Sequence, residues 1–276
     1  MAPIARITAL TLALATAFAS ASPILATPPT GYAPALVEAA APSIPKLKAP
    51  VPLPPPATII YSCKVKGVAA LTFDDGPGER TPDLLKLLAK EKVKATFFVN
   101  GDNYGKILDS KNRKIVKDAY NAGHQIASHT WNHIDLDTLS WDKIHYQMKT
   151  LDDALIKIIG KRPVYMRPPR GATNALALSY LGQYKYKVIE WDQDTNDWRH
   201  LEANDAVAQS MAIYKKALTT SGLKKNGHIF LQHDTIATTA TELASQAIAL
   251  AKKKGYKLVT VGECLGQPNA KDWYRK

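Results

Sequence analysis

The sequence predicts an α/β fold, a distorted (β/α) barrel of about seven parallel strands that makes up one catalytic domain. Three observations lead there. Short β-type runs alternate with helical patterns throughout residues 58–276. Strands separated by helices run parallel, with right-handed crossovers. The polar motifs also fall at the C-terminal ends of the strands, the edge where βα loops converge.

Taken in order, the chain opens on a leader. It has a positive start with Arg6, an apolar run over 7–18 and the small residues Ala19, Ser20 and Ala21, which suits signal-peptidase cleavage after Ala21. The run is short for a membrane span, and proline soon follows it. The reading is a signal peptide over 1–21, a secreted product in the extracellular space or cell wall, and no membrane anchor. Most of the 18 prolines then fall within 22–57. Proline fixes φ and removes a donor, so this stretch is expected to be an extended propeptide or linker outside the core. Residues 58–276 remain, enough for one sizeable core.

In that domain the strand-like runs are 68–73, 95–100, 125–128, 164–167, 187–191, 229–232 and 257–261. Helical stretches lie between them at 82–91, 111–122, 141–159, 174–184, 204–219 and 239–254. Leu84, Leu85, Leu87 and Leu88 show helical spacing in the first; Ile144, Met148, Leu151, Leu155 and Ile158 show it over a longer span in the third. The 2 cysteines, Cys63 and Cys264, lie near opposite ends of the domain. An oxidising, secreted setting favours a disulfide that clamps the first and last elements, with two buried thiols as the alternative. The net charge is +12, and the lysines are spread along the domain and form no stripe. That argues against nucleic-acid binding and for a basic secreted surface.

The chemistry-bearing residues come in close-set groups. Residues 72–77 (Thr-Phe-Asp-Asp-Gly-Pro) place Asp74 beside Asp75. Adjacent carboxylates repel unless something positive sits beside them. His129 and His133, one helical turn apart, bring two imidazoles to one point. One carboxylate and two imidazoles make a three-ligand site for a divalent metal with a position open to water. The second carboxylate is then free to take a proton from that water. On spacing alone the histidines fit a helix face equally well; the paired aspartates favour a metal-assisted hydrolase.

The chain resembles a polysaccharide deacetylase of carbohydrate esterase family four, most closely the secreted fungal chitin deacetylases, over essentially all of 62–276. Five motifs in order carry the resemblance: 72–77, 129–133 (His-Thr-Trp-Asn-His), 167–171 (Arg-Pro-Pro-Arg-Gly), 194–198 (Asp-Thr-Asn-Asp-Trp) and 231–233 (Leu-Gln-His). The resemblance implies that Asp75, His129 and His133 bind Zn²⁺, with Co²⁺ or another divalent metal as an alternative. It implies Asp74 as general base, Arg167 as its bidentate partner, His233 as general acid and Asp197 as the group that orients His233. Arg170 stands where the family more often has tyrosine; its backbone N–H would hold the oxyanion and its side chain would face the sugar. Trp198 and Leu231 would wall the acetyl methyl group. The implied reaction removes the N-acetyl group from N-acetylglucosamine units of chitin or chitooligosaccharides, giving chitosan and acetate. The implied protein is a monomer whose partner is its polysaccharide. Peptidoglycan deacetylation and acetylxylan ester hydrolysis use the same apparatus, and an inactive wall-binding protein on this barrel is the non-enzyme alternative. His124, His145, His200 and His228 match no motif and are read as structural or surface residues.

Overall fold

The computed structural model describes residues 52–199, 201 and 203–275; the leader, most of the proline-rich stretch and His200 lie outside them. Parallel strands covered on both faces need near-continuous apolar or small residues. The central strands have them: β2 (Val68–Asp74), β3 (Thr96–Val99) and β4 (Gln125–Ser128) are buried at every position. Around them lie β1 (Ile59–Ile60), β5 (Arg162–Pro163), β6 (Tyr165–Met166), β7 (Lys187–Ile189), β8 (Gln193–Asp194), β9 (His228–His233), β10 (Lys257–Val259) and β11 (Tyr274–Arg275). The main sheet runs β1-β7-β6-β4-β3-β2-β9-β8, with β10 beside the first half of β2. Its pairings are parallel; β5 and β11 form a separate antiparallel pair. The sheet curls but stays open between its edges β1 and β8, so the barrel is distorted as expected.

Six helices match the expected stretches: α1 (Thr81–Glu91), α2 (Ser110–Asn121), α3 (Trp141–Ile159), α4 (Ala175–Gln183), α5 (Ala206–Ala217) and α6 (Ala244–Lys254). The last is preceded by a wider turn over Thr239–Leu243. None of the described helices is long and apolar enough to cross a membrane.

Successive strand residues point to opposite faces, and β2 uses both. Ala69, Leu71 and Phe73 pack outward against Leu84, Leu88, Ala247 and Ile248 of the helices. Val68 and Ala70 point inward to Phe98, Ala127, Tyr165 and Ile229. Thr72 and Asp74 continue that inner row, so the barrel interior is apolar at the base and polar at the top. The base is closed by Val261, Cys264 and Trp273, and Cys63 is joined to Cys264 in the disulfide expected. Gly262 permits this closure, because a Cβ there would lie 2.0 Å from the Trp273 indole nitrogen.

Several boundaries differ from the sequence reading. The run 257–261 stops at Val259, because Thr260 caps a short helix, α7 (Val261–Cys264), through a capping box with Glu263. A helix of four residues is too short to show periodicity. The run 187–191 ends at Ile189; the chain then crosses to the opposite edge of the sheet as β8. The runs 95–100 and 164–167 shorten to β3 and β6, their last residues turning out into the loops above the barrel. The end of the proline-rich stretch docks on α4, where the Ala57 N–H donates to the Leu178 carbonyl at 2.8 Å.

Candidate metal centre and active site

The top of the barrel holds a cleft of about 430 Å³. Its floor is Asp74, Asp75, His129, His133 and His233, and its walls include Arg170, Trp198 and Leu231. Each predicted motif therefore reaches one opening, although the residues come from strands far apart in sequence. Asp74 is the last residue of β2 and His233 the last of β9; these ends are paired. Arg167 follows β6, and Asp197 follows β8.

Asp75, His129 and His133 offer ligand atoms that all lie within 4.8 Å of one another. Asp75 Oδ1 is 3.6 Å from His129 Nε2 and 3.2 Å from His133 Nε2. The set fits a divalent cation on its own chemistry. His129 Nδ1 lies 2.7 Å from the Arg167 carbonyl, which only accepts, so Nδ1 carries the proton and Nε2 presents its lone pair. Burial holds both histidines below their ordinary pKa, neutral as ligands must be. Asp75 Oδ1 is buried and takes no hydrogen bond, an orphaned acceptor that a cation would satisfy.

The two histidines do not lie on a helix, which corrects the helical-turn reading of their spacing. They sit in a loop where Thr130 (φ 71°) and His133 (φ 56°) are left-handed. Contacts from the end of β3 hold that shape: the Gly101 and Asp102 N–H groups donate to the Trp131 carbonyl at 3.0 and 2.7 Å. Asn100 Nδ2 donates to the carbonyls of His129 and Thr130, and the Asn132 N–H donates to Gln147 Oε1 at 2.8 Å. Asp75 (φ 74°), Arg170 (φ 54°) and Asn196 (φ 54°) are left-handed too. Such backbone is costly for non-glycine residues and persists where the surroundings over-determine it.

Arg167 is wholly buried and meets Asp74, but not bidentately as expected. Its Nη1 donates to Asp74 Oδ1 at 2.7 Å and to Thr72 Oγ1 at 2.8 Å. Nε and Nη2 instead reach the carbonyls of Ile189 and Glu190 at 3.2 and 3.1 Å. The fork is turned by the barrel wall, and the guanidinium stacks 4.2 Å over Phe98. Burial raises Asp74 to about 6 against the pull of Arg167 and His233. Asp74 Oδ2 stays close to the ligand set, 3.9 Å from His129 Nε2.

A second pair joins the buried Asp197 to His233, which is partly open to the cleft. Asp197 Oδ1 meets His233 Nδ1 at 2.9 Å, and Oδ2 accepts from the His233 N–H and Thr239 Oγ1, both at 2.8 Å. Burial alone would lower the imidazole, but the hydrogen bond and charge of Asp197, with Asp74 and Asp75, raise it to about 9. The Arg170 side chain does not point freely at a sugar: its Nη1 is held by Asp135 Oδ1 at 2.5 Å. Trp198 is 45% exposed and carries Arg199 stacked 4.6 Å from its ring, while Leu231 is buried in the wall.

The sequence reading missed Trp191 and Arg199, which also line the cleft, and Asp234, and gave no role to Asp194, the first residue of the fourth motif, which lines the cleft too. Asp234 is fully buried against Gly76 and accepts from Thr81 Oγ1 at 2.5 Å; burial raises it to about 7. Its only sequence signal is its place after His233.

Comparison with known proteins agrees with this geometry. The family profile described as Polysaccharide deacetylase matches residues 62–189. A chitin deacetylase of Pestalotiopsis sp is 46% identical over 221 residues, covering 80% of this chain and 71% of that protein. A probable peptidoglycan-N-acetylglucosamine deacetylase of Arthroderma benhamiae is 44% identical over 82% of this chain, which spans only 50% of that longer protein. The solved structure of the chitin deacetylase from Colletotrichum lindemuthianum superposes with a TM-score of 0.77 at 37% identity, covering 80% of this chain and 96% of that one. With the open barrel, the Asp-His-His set and these relatives in agreement, the chain belongs to the polysaccharide deacetylase family.

Proposed function

We infer that the protein is a metal-dependent deacetylase that hydrolyses the N-acetyl group of N-acetylglucosamine units in chitin or chitooligosaccharides, releasing acetate and leaving chitosan. One observation carries the reading: a metal-ligand set, a buried carboxylate and a carboxylate-paired histidine face one cleft on a barrel shared with chitin deacetylases. The disulfide suits the oxidising setting of a secreted protein.

Asp75, His129 and His133 would hold the cation, and their mixed nitrogen and oxygen donors suit zinc. Its chemistry there would be that of a Lewis acid, polarising a carbonyl and making water a stronger acid. Asp74 takes the proton of the attacking water at Oδ2, while Arg167 keeps Oδ1 occupied and the carboxylate ionised. The water oxygen bonds to the carbonyl carbon, and the Arg170 N–H donates to the oxygen that gains charge. His233 then gives its proton to nitrogen as the C–N bond breaks, leaving acetate and a free amine. Asp197 keeps the His233 ring oriented and protonated, and Trp198 with Leu231 bounds the acetyl methyl.

Acetate release from chitin oligomers with and without a chelator tests this. Activity should vanish with chelation and return on adding zinc; full activity in metal-stripped protein would reject the reading. Asp74→Asn and His233→Ala should fold and hold metal yet lose activity by roughly 10²-fold or more. The relative named as a peptidoglycan deacetylase supports a second substrate, so rates on chitin, peptidoglycan and acetylxylan should be compared directly.

A further inference from the structure

We propose that Asp192 and His228 form a clasp that sets the register of the segment carrying Asp197 and Trp198, which makes Asp192 a positioning residue for the reaction. The inference rests on the reading of His233 as proton donor and of Asp197 as the group that holds it.

β8 is an edge strand of two residues, paired only with Phe230 and Leu231 of β9. Two ladder positions specify register weakly. Carboxylates extend the pairing at both ends. At the lower end Asp192 Oδ1 accepts the Ile229 N–H at 2.7 Å, and Oδ2 meets His228 Nδ1 at 2.5 Å. At the upper end Asp197 meets the N–H and Nδ1 of His233. Between them Thr195 donates its N–H and hydroxyl to the Leu231 carbonyl at 3.2 and 2.8 Å. The ladder pairs Gln193 with Phe230 and Asp194 with Leu231, so the Asp192 bond to Ile229 just below and the Asp197 bonds to His233 just above prolong one alignment of the two segments.

The clasp lies below the cleft, and neither Asp192 nor His228 lines it. His228 is 7% exposed and its Nε2 has no hydrogen-bond partner among the described residues, so Asp192 supplies the side-chain hydrogen bond to a ring that otherwise packs against Phe230 and Tyr256. The anchor itself is firm. β9 pairs along its whole length with β2, from His228 opposite Ala69 to His233 opposite Asp74. Asp192 thereby ties a two-residue edge strand to the strand that delivers His233. A slip there would move the Asp197 carboxylate off Nδ1 of His233.

The test measures kcat and KM on chitin oligomers, divalent-metal affinity and Tm for Asp192→Ala, Asp192→Asn, Asp197→Ala and the Asp192→Ala/Asp197→Ala double variant. Asp192→Ala should lower kcat roughly tenfold to hundredfold, the scale of a 1 Å misplacement, with KM within about twofold. Metal affinity should not change. Asp192→Asn keeps an acceptor for the Ile229 N–H and should recover part of the loss. In the Asp197→Ala background, Asp192→Ala should cost nothing more, because both act through one ring. Wild-type kcat in Asp192→Ala beside a loss in Asp197→Ala would overturn the clasp and leave the proposed function standing. Wild-type kcat in Asp197→Ala would overturn the functional reading itself. Additive losses, or a parallel fall in metal affinity, would make Asp192 a general stabilising residue and also overturn the proposal. If Asp192→Ala does not fold, Asp192→Asn and His228→Gln are judged by the same double-variant criterion.

Discussion

Arg167→Met removes the cation that holds Asp74 ionised. The guanidinium serves Asp74, Thr72 and the carbonyls of Ile189 and Glu190 inside a fully buried setting. Methionine fills much of that volume but donates nothing. Removing one partner of a buried ion pair costs about 3–5 kcal/mol. Part of this loss depends on pH, and the sign follows from counting protons. Burial lifts Asp74 from 3.8 to about 6, so between those values the folded state holds a proton that the unfolded state has released. Stability therefore falls as pH rises through that window, and in the wild type it levels off above it. Without Arg167, the largest influence pulling this pKa down, the fall continues to higher pH. Each further pH unit costs about 1 kcal/mol. Urea denaturation of metal-free protein at about pH 4.5 and about pH 7.5 measures this. The variant's deficit should be larger at the higher pH by about 1–2 kcal/mol. Equal deficits at both values would refute the argument and leave Arg167 a packing residue.

Three further outcomes are expected. His233, raised to about 9, donates in its protonated form, so kcat should fall as pH rises through that value. Asp197→Asn removes the chief force opposing burial and should move this limb to lower pH, as followed by acetate release; an unmoved limb would assign it to another group. Gly101→Ala should cost about 1–3 kcal/mol or more by overpacking, since its Cβ would lie 1.8 Å from the Trp131 ring. Because Trp131 sits between His129 and His133, zinc affinity by titration calorimetry should fall as well, and unchanged affinity would mean the loop adapts. Reducing and alkylating Cys63–Cys264, which closes a loop of 201 residues, should destabilise the fold by about 5 kcal/mol on chain entropy. A loss below about 1 kcal/mol by denaturant titration would sink the idea of a clamp.

How much was legible beforehand follows from the range of each signal. The strand at 68–73 and the leucine-patterned helix after it are visible because burial imprints composition and period on neighbouring residues. The five motifs are legible through their resemblance to the family, and the strand ends bring them to one cleft. Shape set from a distance is not legible. The spacing of His129 and His133 suits a helix, yet Asn100, Gly101 and Asp102, from the neighbouring β3 end, hold their loop left-handed. The Arg167 fork suits a carboxylate, yet Ile189 and Glu190 claim two of its nitrogens. β8 and α7 were unreadable because so few residues carry no period.

The sequence by itself determined the alternation of strand and helix, the residues of the candidate metal set and the presence of two cysteines at opposite ends of the domain. Only the tertiary structure decided the open edge at β8, the left-handed loop at His133, the single hydrogen bond from Arg167 to Asp74 and the contact of Asp192 with His228. The division is physical. Residue type and local period are written along the chain, whereas backbone strain and shared hydrogen bonds are set by partners that become neighbours only after folding.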